Sequence, residues 1–134
     1  MSATEEQQAQ AVLAQADVEF AYLFGSRAKG THGETSDLDI AVMAGREMGL
    51  YERAGLANQL AEVLGVPDID LILLDAVRLP LRGRVVQEGR LIYECDKARR
   101  VAFEVRTRSV YFDFLPTYLT HVDRYIHQVA ERGL

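Results

Sequence analysis

Residues 24–40 read FGSRAKGTHGETSDLDI, and the runs on either side of this polar stretch decide the fold. Upstream, Val18, Phe20, Tyr22 and Phe24, interrupted by Ala21 and Leu23, predict a strand over about 17–24 that runs into Gly25-Ser26. Downstream, Asp37-Leu38-Asp39 opens a second strand over 37–43. Alternation places Asp37 and Asp39 on one face and turns Leu38 and Ile40 into the core. Two carboxylates side by side repel each other and are costly to hold together unless a divalent cation or a proton neutralises them. Gly25 lets the backbone approach a bulky anion with an unhindered N–H. Ser26, read as the first residue of a short helix, adds a hydroxyl and the positive end of a helix dipole. These are the parts of a phosphate and metal site.

The chain around this stretch has 134 residues, which fits one domain, 1–134, with a real core and little room for a second. Hydrophobic content of 49% and charged content of 26% are those of a soluble globular protein. No run approaches the roughly 20 apolar residues that span a bilayer. The opening MSATEEQQAQ is acidic and polar where a secretory signal is basic and then apolar. A single cysteine, Cys95, excludes an internal disulfide and reads as a buried inert thiol, so a cytoplasmic location is the consistent expectation.

The net charge of −5 argues against a general nucleic-acid binder, but the charge is unevenly placed. Met1–Asp75 carries 4 basic and 13 acidic residues, whereas Ala76–Leu134 carries 11 and 7. Arg78, Arg82, Arg84, Arg90, Lys97, Arg99, Arg100, Arg106 and Arg108 could face a polyanion or an acidic partner; the plainer reading is a solvated face.

The remaining elements follow from periodicity. Residues 4–15 predict a helix with Thr4 as N-cap and Glu5 and Glu6 in the first turn. Leu50, Ala54, Ala57, Leu60, Ala61 and Leu64 predict an amphipathic helix, ended by Gly65 at C′ with Pro67 beyond it. Residues 68–74 (DIDLILL) predict a third strand, apolar on both faces and therefore central, with Asp70 placed where packing alone would prefer an aliphatic side chain. Pro80 opens a short helix over Leu81–Glu88, stopped by Gly89, and Arg90–Glu94 (RLIYE) is a fourth strand. From Asp96, an N-cap, to about Arg132 the pattern is helical. Val101, Val105, Phe112, Leu115, Leu119, Val122, Ile126 and Val129 form one apolar stripe, and Pro116 kinks or divides the helix. Tyr111, Tyr118 and Tyr125 repeat at seven beside that stripe, for core packing or self-association or, alternatively, as a partner surface.

Three carboxylates, Asp37, Asp39 and Asp70, thus come from adjacent strands and converge beside the Gly25-Ser26 turn. That constellation suits two-metal phosphoryl or nucleotidyl transfer. Two Mg²⁺ ions take oxygen ligands, Asp37 and Asp39 bridge both, and Asp70 binds the ion on the nucleophile side and helps deprotonate the attacking hydroxyl. A nucleotide's triphosphate would lie over the turn, with Ser26 and neighbouring N–H groups on the distal phosphates and Arg27 or Lys29 as charge partners. His32 reads as solvated, and His121 and His127, six apart, do not share a helix face.

Gly25-Ser26, ten residues, then Asp37-Leu38-Asp39 resembles the signature of the polymerase-β-type nucleotidyltransferase superfamily, and in this compact form the minimal nucleotidyltransferases of the MntA antitoxin family. The motif, the Asp70 strand, the RLIYE strand and the closing helix with Asp113-Phe114 fall in the order of that family, and nothing in the motif is missing. The resemblance implies an α/β (α+β) polymerase-β-like fold, a small mixed sheet flanked by helices with a long C-terminal helix. It also implies transfer of AMP from ATP, with Mg²⁺, onto a tyrosine of a HEPN ribonuclease toxin that the protein thereby neutralises. It assigns the phosphate role to Gly25 and Ser26, the metal role to Asp37 and Asp39, and the third-carboxylate role to Asp70. Two other readings stay open: a small-molecule transferase of the aminoglycoside-modifying type, and a non-catalytic antitoxin that acts by binding alone.

Overall fold

The computed structural model describes residues 1–25 and 38–113. Ser26, Arg27, Lys29, His32, Asp37, Pro116, Tyr118, His121, Tyr125 and His127, with the expectations placed on them, lie outside the described residues.

Helix α1 (Ala3–Gln15) leads into β1 (Val18–Phe24), β2 (Leu38–Ala44), α2 (Leu50–Leu64), β3 (Ile69–Leu73), α3 (Leu79–Glu88) and β4 (Arg90–Glu94). Residues 97–113 form a further helix, α4. The strands make one mixed sheet in the order β3-β2-β1-β4. β1 runs antiparallel to both β2 and β4, and β2 runs parallel to β3, the pair that α2 connects.

Helices cover both faces. Leu13 of α1 and Leu56, Leu60 and Leu64 of α2 pack on Val18, Leu23, Ile40, Val42 and Leu71. On the opposite face Phe20, Tyr22, Ala41, Ile72 and Leu74 meet Val85 of α3 and Phe103 of α4. Strict alternation would put Val18 and Phe20 on one face, yet they lie on opposite faces because the register with β2 slips between them. A bulge at that place inserts one residue and reverses the facing of what precedes it.

Local chemistry sets the helix ends. Ser2, not Thr4, caps α1: its Oγ accepts from the Glu5 N–H at 3.1 Å and its own N–H donates to Glu5 Oε1 at 3.1 Å. That reciprocal box satisfies two donors at once and lengthens the helix upstream. Gly65 closes α2 at φ +65°, with Val66 N–H donating to the Ala61 carbonyl at 3.1 Å. Asp96 Oδ1 accepts from Arg99 N–H at 3.2 Å, the cap expected for α4.

Three expectations are corrected. β3 is apolar on both faces, which helices cover, but among the described residues it lies at the sheet edge with β2 alone beside it. Cys95 is exposed, since it sits just past the end of β4, outside the packed sheet. The stripe expected to bury α4 faces outward over its described length, with Val105 58% and Phe112 57% exposed. What turns inward is Phe103, Glu104, Thr107 and Tyr111. Phe103 packs on Phe20 at 5.2 Å between ring centroids, and Tyr111 lies against Gly83 of α3 so closely that a Cβ there would overlap its ring. Tyr111 therefore has the packing role rather than the partner one.

Polar groups complete the α4 contact. Tyr22 Oη donates to Glu104 Oε1 at 2.6 Å, and Arg100 donates to Glu94 Oε2 at 2.7 Å and Glu104 Oε2 at 3.2 Å. Burial pushes the Tyr22 hydroxyl far above its ordinary range, and the Glu104 carboxylate adds to the shift. Much of the basic C-terminal half is spent in such pairs: Arg84 with Glu88, Arg90 with Glu6, Arg99 with Glu19, and Arg108 with Glu104. Among the described residues no helix is long and apolar enough to cross a membrane.

Candidate active site

The end of β1 and the beginnings of β2 and β3 meet at one end of the sheet. Phe24 pairs with Asp39 across β1 and β2, and Asp39 pairs with Asp70 across β2 and β3. Parallel neighbours lie about 4.8 Å apart, so the two carboxylates start from adjacent backbone positions. Leu38 and Ile40 on one strand and Ile69 and Leu71 on the other pack on the α1/α2 face. Alternation therefore turns Asp39 and Asp70 to the opposite face, the same one for both. Asp39 is half-buried and Asp70 exposed.

Gly25 closes this corner. Its φ of +86° lies in the left-handed region, and a Cβ built on it would overlap the Asp39 carboxylate, 3.2 Å from Cγ. Both the conformation and the space require glycine here. The turn is thus shaped around Asp39, a relation that the sequence spacing does not reveal.

Of the seven residues singled out from the sequence, the structure brings together Gly25, Asp39 and Asp70. Ser26, Arg27, Lys29 and Asp37 are outside the described residues. Asp70 is not buried among aliphatic groups as expected. It is the second residue of β3, an edge strand among the described residues, and faces solvent, so its placement rests on register with Asp39 and not on a desolvation cost. Two in-register carboxylates are the hard oxygen donors that Mg²⁺ takes, and like charges directly opposite each other are unfavourable without a cation. The described residues alone do not assemble three such ligands. Asp37, one alternation before Asp39, is the further oxygen donor that the sequence offers.

Arg53 was not anticipated. From α2 its Nη2 donates to the Leu71 carbonyl at 2.6 Å, bracing the outer edge of β3 one residue from Asp70. Ile69 N–H donates to Asp68 Oδ1 at 2.9 Å, and the Leu73 carbonyl accepts from Ala76 N–H at 3.0 Å. The edge strand thus has its backbone groups partly engaged beside the site. Nothing in the helical periodicity distinguishes Arg53 from a solvated residue on the polar side of α2.

Comparison with known proteins bears on the same residues. The chain is 37% identical over 90 residues to the protein adenylyltransferase MntA of Shewanella oneidensis, a match spanning 67% of this chain and 63% of that relative, less than two thirds of its length. A crystal structure of a toxin-antitoxin with AMP-PNP contains a similar chain, with TM-score 0.77 and 29% identity, over 90% of this chain and 98% of that one. A structure of tri-AMPylated Shewanella oneidensis HEPN toxin in complex with MNT antitoxin matches with TM-score 0.72 and 27% identity, over 91% of this chain and 96% of that one. Residues 7–98 match the family described as Polymerase beta, Nucleotidyltransferase, with Gly25, Asp39 and Asp70 inside the matched span, and the chain belongs to that family.

Proposed function

We propose that this chain is an ATP-using protein adenylyltransferase and antitoxin that transfers AMP to a tyrosine hydroxyl of a partner HEPN-family toxin. The observation that carries the reading is the in-register pair Asp39 and Asp70 beside a turn whose glycine is shaped around Asp39. Similarity to a protein adenylyltransferase and to toxin-antitoxin chains supports the choice of acceptor.

Asp37, Asp39 and Asp70 hold Mg²⁺ in this reading, and the metal when bound neutralises charge on the transferred phosphoryl group. Gly25 and Ser26 hold the distal phosphates through backbone N–H groups and a hydroxyl, with Arg27 and Lys29 as charge partners. The acceptor oxygen attacks the α-phosphorus, the bond to the oxygen bridging the α- and β-phosphates breaks, and pyrophosphate leaves with the electron pair. The hydroxyl proton passes to Asp70, whose exposure lets it discharge to water.

Incubation with α-labelled ATP, Mg²⁺ and the product of the adjacent open reading frame is expected to label that protein on tyrosine. Binding of the partner without label would replace this reading by an antitoxin acting through contact alone. Label on a small amino-alcohol in place of the partner would replace it by a small-molecule transferase.

A further inference from the structure

Four of the seven large apolar side chains exposed among the described residues lie on one element, α4: Val101, Val105, Val110 and Phe112. Successive helical residues turn by about 100°, so Val101, Val105 and Phe112 fall within about 40° of one another. They are turned away from the inward face of Phe103, Glu104, Thr107 and Tyr111. Cations border this stripe on both sides, Lys97 and Arg108 on one and Arg106 on the other, and Asp113 is the one acid that α4 adds to the same half of its surface. Lys97 and Arg106 make no ion pair among the described residues, and Arg108 has one at 3.9 Å, to Glu104. Arg106 also lines a groove of about 420 Å³ that α4 forms with Phe20 and Met43 of the sheet, beside Phe103. The other charged members of that groove, Arg99 and Glu19, are bonded to each other, so the charge of Arg106 is uncompensated there.

We propose that the outward face of α4 docks an amphipathic helix of the partner protein, one that sets an apolar seam on Val101, Val105 and Phe112 and acidic flanks on Lys97, Arg106 and Arg108. The inference rests on the partner named in the adenylyltransferase reading, and it holds whether or not AMP is transferred. Spacing is one ground: apolar residues separated by four and seven form the ridge onto which a second helix packs. Charge is another, since three cations and one acid around the stripe complement a negatively charged occupant. A second copy of α4 fits poorly. Antiparallel pairing that sets Val101 opposite Phe112 brings Arg106 and Arg108 of both copies together, and parallel pairing sets each cation beside itself. A membrane surface fits poorly too, because the chain carries a net charge of −5 and α4 has no Trp or Leu to anchor it. The groove beside Arg106 is separate from the candidate active site: its Phe20 and Met43 pair four residues along β1 from Phe24 and Asp39, about 13 Å away.

The test uses the full chain and the product of the adjacent open reading frame. Val105→Gln combined with Phe112→Gln removes the seam with a good helix former at two exposed positions, and Arg106→Gln removes an unpaired cation. Each variant is expected to keep the melting temperature and ATP affinity of the parent and to lose about tenfold or more in affinity for the partner. Added salt is expected to weaken the parental complex, with a shallower dependence in Arg106→Gln. Partner affinity equal to the parent in both variants would overturn the docking surface while leaving the transferase reading intact. Affinity lost in the variants of a parent that binds but never labels with ATP and Mg²⁺ would keep the surface and sink the transferase reading. A parent that does not bind the product sinks both. A lower melting temperature of the isolated double variant, or a parental dimer that it dissolves, would show the face already covered by this chain or a second copy and overturn the proposal. Cosedimentation of the parent with phosphatidylserine vesicles, lost in the double variant, would assign the face to a membrane and overturn it as well.

Discussion

Gly25 and Asp39 occupy one another's space: the glycine's missing Cβ is the room in which the Asp39 carboxylate sits. A turn residue and a strand residue fourteen positions apart are thus a single steric unit. Gly25→Ala pushes the carboxylate aside and adds left-handed strain of about 1–2 kcal/mol. Because displacing a reacting group by about 1 Å costs on the order of 10²-fold, labelling is expected to fall by at least that much. A denaturation curve measures the strain separately. An active Gly25→Ala variant of parental stability would show that neither constraint operates.

Asp70 faces Asp39 across a parallel pair, so metal binding and strand pairing are linked. Saturating Mg²⁺ is expected to raise the melting temperature of the parent, since a ligand at 100-fold its Kd contributes about 2.7 kcal/mol. Asp70→Asn retains the backbone register and exposure but loses charge. It is expected to fold as well as the parent without metal, to show a much smaller Mg²⁺ shift, and to lose labelling. A full Mg²⁺ shift in Asp70→Asn would remove this carboxylate from the metal set.

Tyr22 and Glu104 tie the sheet to α4. Tyr22→Phe removes a hydrogen bond to a charged group and is expected to cost about 1.5–3 kcal/mol. The pH response has a definite sign. The Tyr22 hydroxyl is held above its ordinary 10.0 in the folded state, so its contribution is complete below about pH 10 and declines as pH rises beyond it. Urea denaturation from pH 8 to 11 is expected to show the parent losing stability faster than Tyr22→Phe above pH 10. Parallel profiles would place the alkaline loss elsewhere.

The strands, and the nearness of the Gly25 turn to the start of β2, were legible because both depend on short-range patterns. Alternation marks β1, β2 and β4, Gly65 and Asp96 mark helix ends, and Gly25 and Asp39 lie within one quoted stretch. Lateral position in the sheet is not a short-range property. Ile72 and Leu71 are buried on opposite faces whether β3 is central or at the edge, so the pattern could not distinguish the two. The orientation of α4 was misread for a different reason. Its inward face is Phe103, Glu104, Thr107 and Tyr111, held by Tyr22 and a glycine on α3, with α4's own Arg100 bonded to Glu94 of β4, while its valines point to water. An apolar stripe identifies the buried face only when the partner surface is also apolar.

Arg53 supplies the remaining link between α2 and the site. Its bond to the Leu71 carbonyl at 2.6 Å satisfies an edge group that would otherwise look to water, and it fixes the strand one residue from Asp70. Arg53→Met keeps the length and helix propensity of the side chain but donates nothing. The expected loss of stability is modest, about 1.5 kcal/mol for a hydrogen bond from a charged donor. Faster amide exchange is expected to concentrate in β3, with β1 and β4 unchanged. Because the brace acts through Asp70, the Mg²⁺ concentration for half-maximal labelling is expected to rise severalfold while the KM for ATP at saturating Mg²⁺ moves little. A variant that loses stability with an unaltered Mg²⁺ profile would make Arg53 a structural brace alone. A raised Mg²⁺ requirement with exchange confined to β3 makes it a positioning residue for the third carboxylate.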